Sequence, residues 1–127
     1  MKIYLNAWFA KFARKEKISD AALCEAMSRI KRGSIDADLG GGLIKQRVAR
    51  AGAGKSGGFR TLIFFRQGAR AVFVYGFAKS AQANLDAGEV AMFKKAAKIV
   101  LALSQDQIDV EVETGRLTEL NCGDQEI

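Results

Sequence analysis

Positive charge without any acidic residue marks the middle of the sequence. Between Leu39 and Leu85 there is no Asp or Glu, although the whole chain has 14 acidic and 20 basic residues and a net charge of +6. The cations of this basic block are Lys45, Arg47, Arg50, Lys55, Arg60, Arg66, Arg70 and Lys79. A surface of one sign can meet phosphate at close range, because no internal carboxylate neutralises it. The block therefore predicts a site for a polyanion, most simply nucleic acid, although a solvated basic sheet face has the same composition.

The chain has no His, which removes imidazole acid–base catalysis and the commonest metal ligand. Any enzyme built on the basic block must therefore use Lys, Arg, Tyr or Ser. RNA can be cleaved by such groups, because the substrate supplies its own nucleophile, the 2′-hydroxyl. The protein needs to orient that hydroxyl, remove its proton and neutralise the phosphorane. We therefore expect neither a metal nor a cofactor.

Residues 49–56 read ARAGAGKS and fit the P-loop pattern in part. A P-loop needs a helix directly after it, so that the helix N-terminus faces the phosphates. Here Gly57 and Gly58 follow, and then a β pattern, FRTLIFF. The glycines more simply allow a basic segment to approach another backbone closely.

Alternating polar and apolar residues predict strands through the block. The strand 43–50 places Lys45 and Arg47 on one face, and a glycine-rich connection, 51–58, follows it. Strands at 59–67 and 70–77 form a hairpin. The residues predicted to share a face are Arg60, Leu62, Phe64 and Arg66 in the first of these strands, and Phe73, Tyr75 and Phe77 in the second.

Residues that cap helix N-termini predict four helices. The caps are Asn6, Ser19, Asp86 and Ser104, and the helices end near Arg14, Arg32, Leu103 and Gly115. Short strands are predicted at 2–5 and 117–120. The order is α+β: N-terminal helices packed on a central antiparallel sheet, then a C-terminal helix, in a single domain of residues 1–127. Trp8 on the first helix is expected in the core.

The C-terminal residues 104–127 hold seven acidic residues and one basic residue. They predict an acidic extension that screens the basic face, meets a partner or is simply solvated. Cys24 and Cys122 form no ligand pair, and a reduced, cytoplasmic protein is the simpler interpretation, with a disulfide left open. No apolar run is long enough to span a membrane.

Three runs closely resemble the RelE/HigB-like toxins of bacterial type II toxin–antitoxin systems, within the RelE/ParE superfamily. They are LIKQRVAR (43–50), GKSGGFRTLIFF (54–65) and FVYGFAK (73–79), and DADLGGG before them is similar to one RelE-related subgroup. The similarity covers roughly residues 1–103 and is strongest over 38–80. It implies a compact toxin of the microbial-RNase type that enters the ribosomal A site and cleaves mRNA, with a cognate antitoxin, often of helix-turn-helix type, as its inhibitor.

By motif position the resemblance implies that Lys45 and Arg47 form the basic pair of the first central strand, and that Arg60 is the arginine after the glycine turn. Lys45 or Lys55 would be the general base, because neighbouring cations lower the pKa of a lysine. Arg47 and Arg60 would stabilise the phosphorane through their planar forks.

Lys79 matches the basic residue that closes the last strand, and Lys79 or Tyr75 would assist the leaving 5′-oxygen. RelE itself uses a tyrosine near its C-terminus, and this chain has no Tyr after Tyr75. Tyr75 is therefore not a positional match and would equally serve as a core aromatic. Arg50, Arg66 and Arg70 are expected RNA contacts; Arg66, like Lys55, rests on local charge, and Arg50 and Arg70 would serve solubility or contact ribosomal RNA.

Two other functions fit the same composition. A ParE-like toxin poisons DNA gyrase without cutting RNA, but it could lose the cations of the sheet face that this chain keeps. A non-enzymatic nucleic-acid-binding module would form no product, and each cation removed would weaken binding uniformly. The expected partners are an antitoxin, the ribosome and mRNA, with no membrane.

Overall fold

A computed structural model shows four helices and six strands in the described part of the chain. It describes residues 1–50, 54–78 and 84–123, and for 54–56 the backbone alone. The strands are β1 (Lys2–Asn6), β2 (Ala37–Gly40), β3 (Leu43–Arg50), β4 (Gly54–Arg66), β5 (Arg70–Ala78) and β6 (Leu117–Leu120). The helices are α1 (Ala7–Lys15), α2 (Asp20–Lys31), α3 (Ala87–Ala102) and α4 (Gln105–Glu113). The predicted α+β class is confirmed.

One mixed sheet contains these strands in the order β2-β3-β4-β5-β1-β6. Neighbouring strands are antiparallel except β1 and β5, which run parallel. The predicted central strands and the hairpin of β4 and β5 are confirmed, but β4 begins at Gly54, inside the predicted connection. Residues 51–53 of that connection lie outside the described residues. The short strand β2 has no counterpart among the predicted strands.

Each helix begins at its predicted cap. The side chains of Asn6 and Ser19 accept a hydrogen bond from the backbone N–H of the third helical residue. Asp86 and Ser104 each form a full capping box. Such caps satisfy backbone donors that the first turn of a helix leaves without an intrahelical partner.

Helices cover both faces of the sheet, and each face has its own core. On the α1–α2 face the buried residues include Phe9, Leu23, Met27, Ile44, Ile63 and Phe73. On the α3–α4 face they include Leu43, Leu62, Phe64, Val72, Leu101 and Ile108. Because strand residues alternate between faces, Lys45 and Arg47 of β3 point to the same side as Leu43, the α3–α4 face.

A β-bulge changes which way the residues of β5 face. Leu62 of β4 pairs with Tyr75, but the next residue of β4 pairs with Phe73, so Val74 is extra. Phe73 consequently lies in the core of the α1–α2 face, whereas Tyr75 packs against the core of the α3–α4 face. The prediction that Phe73, Tyr75 and Phe77 share one face is therefore wrong.

The acidic C-terminal segment is built into the fold as far as it is described. α4 contributes the buried Ile108 to the α3–α4 core, and β6 pairs with β1. α4 packs against β6, at the sheet edge opposite β2, so within residues 104–123 the segment does not cover the basic strands. Arg116 donates hydrogen bonds to Glu111 and lowers the pKa of that half-buried carboxyl.

Cys24 and Cys122 form a disulfide between α2 and the residues after β6. Their Cα atoms are 5.6 Å apart, although 98 residues separate them along the chain. Pairing of Leu120 with Ile3 brings the end of β6 to the α1–α2 face, where Cys24 is buried. The expectation of two separate reduced thiols is wrong for this structure.

Arg70 is buried beneath the end of α3. Its Nη1 donates hydrogen bonds to the carbonyl oxygens of Val100 and Leu103, both at 2.9 Å. These acceptors lie at the helix C-terminus, where carbonyls have no intrahelical donor. Arg70 holds α3 on the sheet, and only 9% of its surface is exposed. It is therefore not placed to contact RNA, contrary to the prediction.

Arg70→Met should lower the free energy of unfolding by about 2–3 kcal/mol, because charge-assisted hydrogen bonds at a buried site are lost. Urea unfolding followed by circular dichroism measures the change. Arg66→Met is the matched control, because Arg66 lies opposite Arg70 in the hairpin and is exposed. It should change stability by less than about 0.5 kcal/mol. Equal losses in both variants would contradict the assigned role of Arg70.

Candidate nucleic-acid site

Two rows of side chains cross the central strands on the α3–α4 face. The Arg47 row consists of Arg47, Arg60 and Phe77, and the Lys45 row of Lys45, Leu62 and Tyr75. Residues directly opposite each other on neighbouring strands point to the same face, and their Cβ atoms lie about 5 Å apart. The pairing register therefore brings four predicted site residues onto one face.

Buried polar residues beneath the rows hold β3 in place. The Gln46 side chain donates to the carbonyl oxygen of Ser34 at 3.0 Å and accepts from the backbone N–H of Asp36 at 2.9 Å. The Thr61 hydroxyl donates to the carbonyl oxygen of Gln46 at 2.8 Å. Because Gln46 fixes the residues before β2 in this way, Asp36 comes to lie beside Arg47.

Gly58 allows β4 to approach β3 closely next to the Arg47 row. A Cβ at this position would lie 2.5 Å from the carbonyl oxygen of Val48, a separation that real Cβ atoms do not show. The register between the two strands shifts directly after Val48. Gly58 thus brings β4 close to β3 two residues before Arg60.

Arg47 is anchored by an acid from outside the basic block. Its backbone N–H donates to Oδ2 of Asp36 at 2.6 Å, and its Nε lies 3.7 Å from the same oxygen. Arg29 of α2 donates to the Arg47 carbonyl oxygen at 2.6 Å. The Arg47 side chain remains 44% exposed. The expected absence of internal neutralisation is therefore corrected at this position, where one carboxylate orients an accessible guanidinium.

Arg60 carries an unsatisfied donor. Its Nη1 is buried and has no hydrogen-bond partner among the described residues. A buried donor without a partner costs about 1–3 kcal/mol, so native structures rarely keep one without a reason. A phosphate oxygen would satisfy this donor, and the planar guanidinium could then donate to a second oxygen of the same group.

Lys45 is half-buried and directed by a residue near α3. Its Nζ donates to Oδ1 of Asn84 at 3.2 Å. Asn84 lies three residues before the start of α3 at Ala87, so the N-terminal approach to this helix passes beside the Lys45 row. An ammonium held in this way has a defined position relative to the neighbouring guanidinium of Arg47.

Aromatic rings border the cations at the β5 side of the site. Tyr75 is half-buried, and its ring lies 4.6 Å from that of Trp8, 5.6 Å from Phe93 and 6.1 Å from Phe77. Trp8 was expected in the core, but 45% of its surface is exposed. The expectation is wrong because the Trp8 ring, in the first turn of α1, stacks on Tyr75 and Phe12 and belongs to neither core.

Three further predicted residues are not placed in the rows by described contacts. Lys79 lies outside the described residues, and for Lys55 only the backbone is described, as part of β4. The guanidinium of Arg50 lies 5.5 Å from the ring centre of Phe59. Phe59 contacts Phe12 of α1, so Arg50 reaches toward the α1–α2 face and away from the rows.

Arg66 shares a strand face with Arg60 but lies at the other end of β4. Six residues separate the two arginines, which corresponds to about 20 Å along an extended strand. The exposed side chain of Arg66 stands at the hairpin turn. It therefore does not contribute to the same phosphate position.

Three residues of the site escape sequence reasoning: Asp36, Asn84 and Trp8. Asp36 and Asn84 lie in connections, and only the tertiary fold brings them beside Arg47 and Lys45. No local signal would have found either of them. For Trp8, its place in the first turn after the cap was a usable signal, because such positions often stand clear of the core.

The fold and these rows define a small α+β protein with a cationic sheet face. The chain belongs to the RelE toxin family, since the family model described as "RelE toxin of RelE / RelB toxin-antitoxin system" matches residues 1–120. This match extends the resemblance through α4 and β6. The protein is thus a RelE-type toxin of a toxin–antitoxin system. No curated protein matches the chain, and none of the helices in the described ranges is long and apolar enough to cross a membrane.

Proposed function

We propose that this toxin is a metal-independent endoribonuclease that cleaves mRNA on translating ribosomes, and hence acts in the cytoplasm. The observation that carries the proposal is the pairing of Arg47 with Arg60, beside Lys45, on one sheet face. Two planar forks and an ammonium in adjacent rows supply the cations that a phosphorane requires. RNA contributes the nucleophile itself, so no further reactive side chain is needed.

In the proposed reaction the 2′-oxygen of the substrate attacks the adjacent phosphorus. A P–O2′ bond forms and the P–O5′ bond breaks, which leaves a 2′,3′-cyclic phosphate and a 5′-hydroxyl. Lys45, as the neutral amine, accepts the 2′ proton, and Asn84 orients its Nζ. Lys55 is the alternative base. Lys79 or Tyr75 supplies the proton that the leaving 5′-oxygen takes up.

The arginines stabilise the negative charge that develops on the phosphorane. Arg60 brings a donor that is already desolvated, and Arg47 brings an exposed fork fixed by Asp36. Preorganised donors of this kind cost no reorganisation when the charge appears. For catalysis these donors must bind the phosphorane more tightly than the ground-state phosphate.

Cleavage products on programmed ribosomes test the proposal. Purified toxin should yield fragments that end in a 2′,3′-cyclic phosphate or 3′-phosphate, and one 2′-O-methyl group at the scissile nucleotide should block cleavage at that site. Fragments with 3′-hydroxyl ends, or cleavage of the methylated substrate, would contradict the mechanism. Gyrase-linked DNA damage with intact mRNA would favour the ParE-like function, and binding without products would favour a non-enzymatic module.

We further propose that a small antitoxin of the helix-turn-helix type neutralises the toxin through an acidic segment laid across the basic strands. The stretch between residues 39 and 85 contains no acid, and its cations other than the buried Arg70 should attract such a segment. Co-expression with the neighbouring gene should relieve growth arrest and yield a complex that dissociates more readily as salt rises. Harmless expression of the toxin alone, together with no binding of the neighbour's product, would contradict this partner.

A further inference from the structure

Helix α3 presents two large apolar side chains to solvent. Met92 is 70% exposed and Ile99 is 65% exposed, and no other large apolar side chain in the described ranges is as exposed. They stand one heptad apart, so they lie on nearly the same side of the helix and form what we call the outer row. The small residues Gly88, Ala91 and Ala102 are exposed on the same helix. Single apolar residues at a surface are ordinary, but a row with small residues around it offers a ridge against which a second helix can pack.

The opposite side of α3 is already packed on the sheet. Ala97 and Leu101 are buried, and Val90 and Phe93 pack against the core of the α3–α4 face. The helix is therefore apolar on two sides, whereas a surface helix of a globular protein usually carries polar residues on its outer side. A helix that is apolar on both sides is normally covered on both. The sheet covers one side, and the described residues leave the outer row exposed.

The charged residues of α3 indicate which sign the second cover should have. Lys95 and Lys98 are exposed on the outer side, and no ion pair within the described part of the chain involves either of them. Glu89, the only acid of the helix, accepts from the backbone N–H of Asp86 in the capping box. The outer side of α3 thus combines apolar side chains with positive charge that no neighbouring carboxylate neutralises.

Two other occupants fit this surface less well than an acidic protein segment. A second copy of the chain would place the same lysines opposite each other, and each copy has a net charge of +6, so the contact would bring like charges together. Nucleic acid would pair with the lysines, but its phosphates would gain nothing from the outer row. An acidic amphipathic helix satisfies both features, because its apolar side covers the outer row and its carboxylates reach Lys95 and Lys98.

We propose that the outer side of α3 is a docking surface for an acidic, amphipathic helix of the antitoxin. The inference rests on the antitoxin proposed above, and it adds an apolar anchor to the attraction of the basic strands. The start of α3 lies beside the proposed nuclease site, because Asn84, three residues before the helix, accepts from Nζ of Lys45. The ring of Phe93 likewise lies 5.6 Å from that of Tyr75. A partner chain that is anchored on α3 and continues past its first turn therefore arrives at the Lys45 row.

Truncation of the outer row tests the docking surface. The probe is the purified product of the gene next to the toxin gene, and titration calorimetry measures its Kd for the full-length toxin. Met92→Ala/Ile99→Ala should raise this Kd about 10- to 100-fold, because two apolar side chains are no longer removed from water in the complex. Val110→Ala is the matched control, because it shortens an apolar side chain that is 50% exposed on α4. It should leave the Kd within about twofold.

A second pair of substitutions tests the charges. Lys95→Gln/Lys98→Gln should slow association with the same probe and make the rate less sensitive to salt, because charges at the rim of an interface act mainly on the encounter. The four substituted side chains are exposed and lie outside the cationic rows. Thermal unfolding and mRNA cleavage on programmed ribosomes should therefore be unchanged in both double variants.

The outcomes distinguish this inference from the proposals beneath it. An unchanged Kd of Met92→Ala/Ile99→Ala, with tight binding by the wild type, overturns the α3 surface and leaves the antitoxin in place. A wild-type toxin that dimerises alone, and whose dimer dissociates in this variant, assigns the surface to a second copy and also overturns it. Slower mRNA cleavage by the variant at unchanged Kd assigns the surface to the ribosome, with the same consequence. Failure of the wild type to bind the probe counts against the proposed antitoxin itself.

Discussion

Arg60→Ala is expected to lower the rate of mRNA cleavage by about 100-fold or more, which is the usual cost of removing one preorganised donor to a transition state. Expression of the Arg60→Ala variant should therefore no longer arrest growth. The free energy of unfolding should stay level or rise slightly, because the substitution removes a buried Nη1 that has no partner among the described residues. Single-turnover cleavage on programmed ribosomes, together with urea unfolding, measures both quantities.

Two variants make this result specific. Arg60→Lys keeps the charge but loses the planar fork, so its rate should fall between those of the wild type and Arg60→Ala. Arg14→Ala removes one positive charge from the exposed surface of α1 and should leave cleavage within about twofold. Full cleavage activity of Arg60→Ala, or an equal loss of activity in Arg14→Ala, would contradict the role proposed for Arg60.

Reduction of the Cys24–Cys122 disulfide is expected to lower the free energy of unfolding by about 3–5 kcal/mol. The bond closes a loop of about three quarters of the chain, because the cysteines are separated by 98 positions in the sequence. A cross-link over a loop of this size removes much of the conformational freedom of the unfolded chain. Urea unfolding with and without dithiothreitol measures the difference, and the slope of the transition should change as well, because the unfolded state becomes more extended.

Cys122→Ser provides the control for reduction. The variant should show the stability of the reduced wild type and should not respond to dithiothreitol, because Cys24 then has no partner in the same chain. A wild-type transition that ignores the reductant would contradict a stabilising cross-link. The stability with reductant present is the value that matters in the reducing cytoplasm, where mRNA cleavage is proposed.

Local patterns were sufficient for most of the secondary structure. Asn6, Ser19, Asp86 and Ser104 each start a helix where predicted, because a capping side chain acts within three residues of itself. Alternation in β3 likewise placed Lys45 and Arg47 on one face. These features depend on short sequence separations and are legible without the fold.

Features that depend on long separations were missed. The bulge opposite Leu62 places Tyr75 and Phe73 on opposite faces of the sheet. The alternating pattern of β5 gives no sign of this extra residue. Arg70 resembled its neighbours in the basic block, yet the end of α3, 30 residues later, supplies its acceptors. Charge counts along a sequence cannot tell a phosphate contact from a helix cap.

For the site, the sequence predicted the cations but not what holds them. The resemblance to RelE-like toxins indicated Arg47 and Arg60, whose pairing is visible only in the register of β3 and β4. Asp36 and Asn84, which orient Arg47 and Lys45, come from connections with no pattern of their own. A cationic residue can be identified from its type in the sequence. The residues that position it can be identified only from their proximity in the structure.

The place of β1 in the sheet has a consequence for how the toxin is made. β1 lies between β5 and β6, with Ile3 opposite both Ala71 and Leu120. Because β5 and β6 follow β1 in the sequence, β1 can pair with each of them only after that strand has been synthesised. Contacts between residues so far apart in the sequence form late. The six-stranded sheet is therefore incomplete until the residues of β6 have been added.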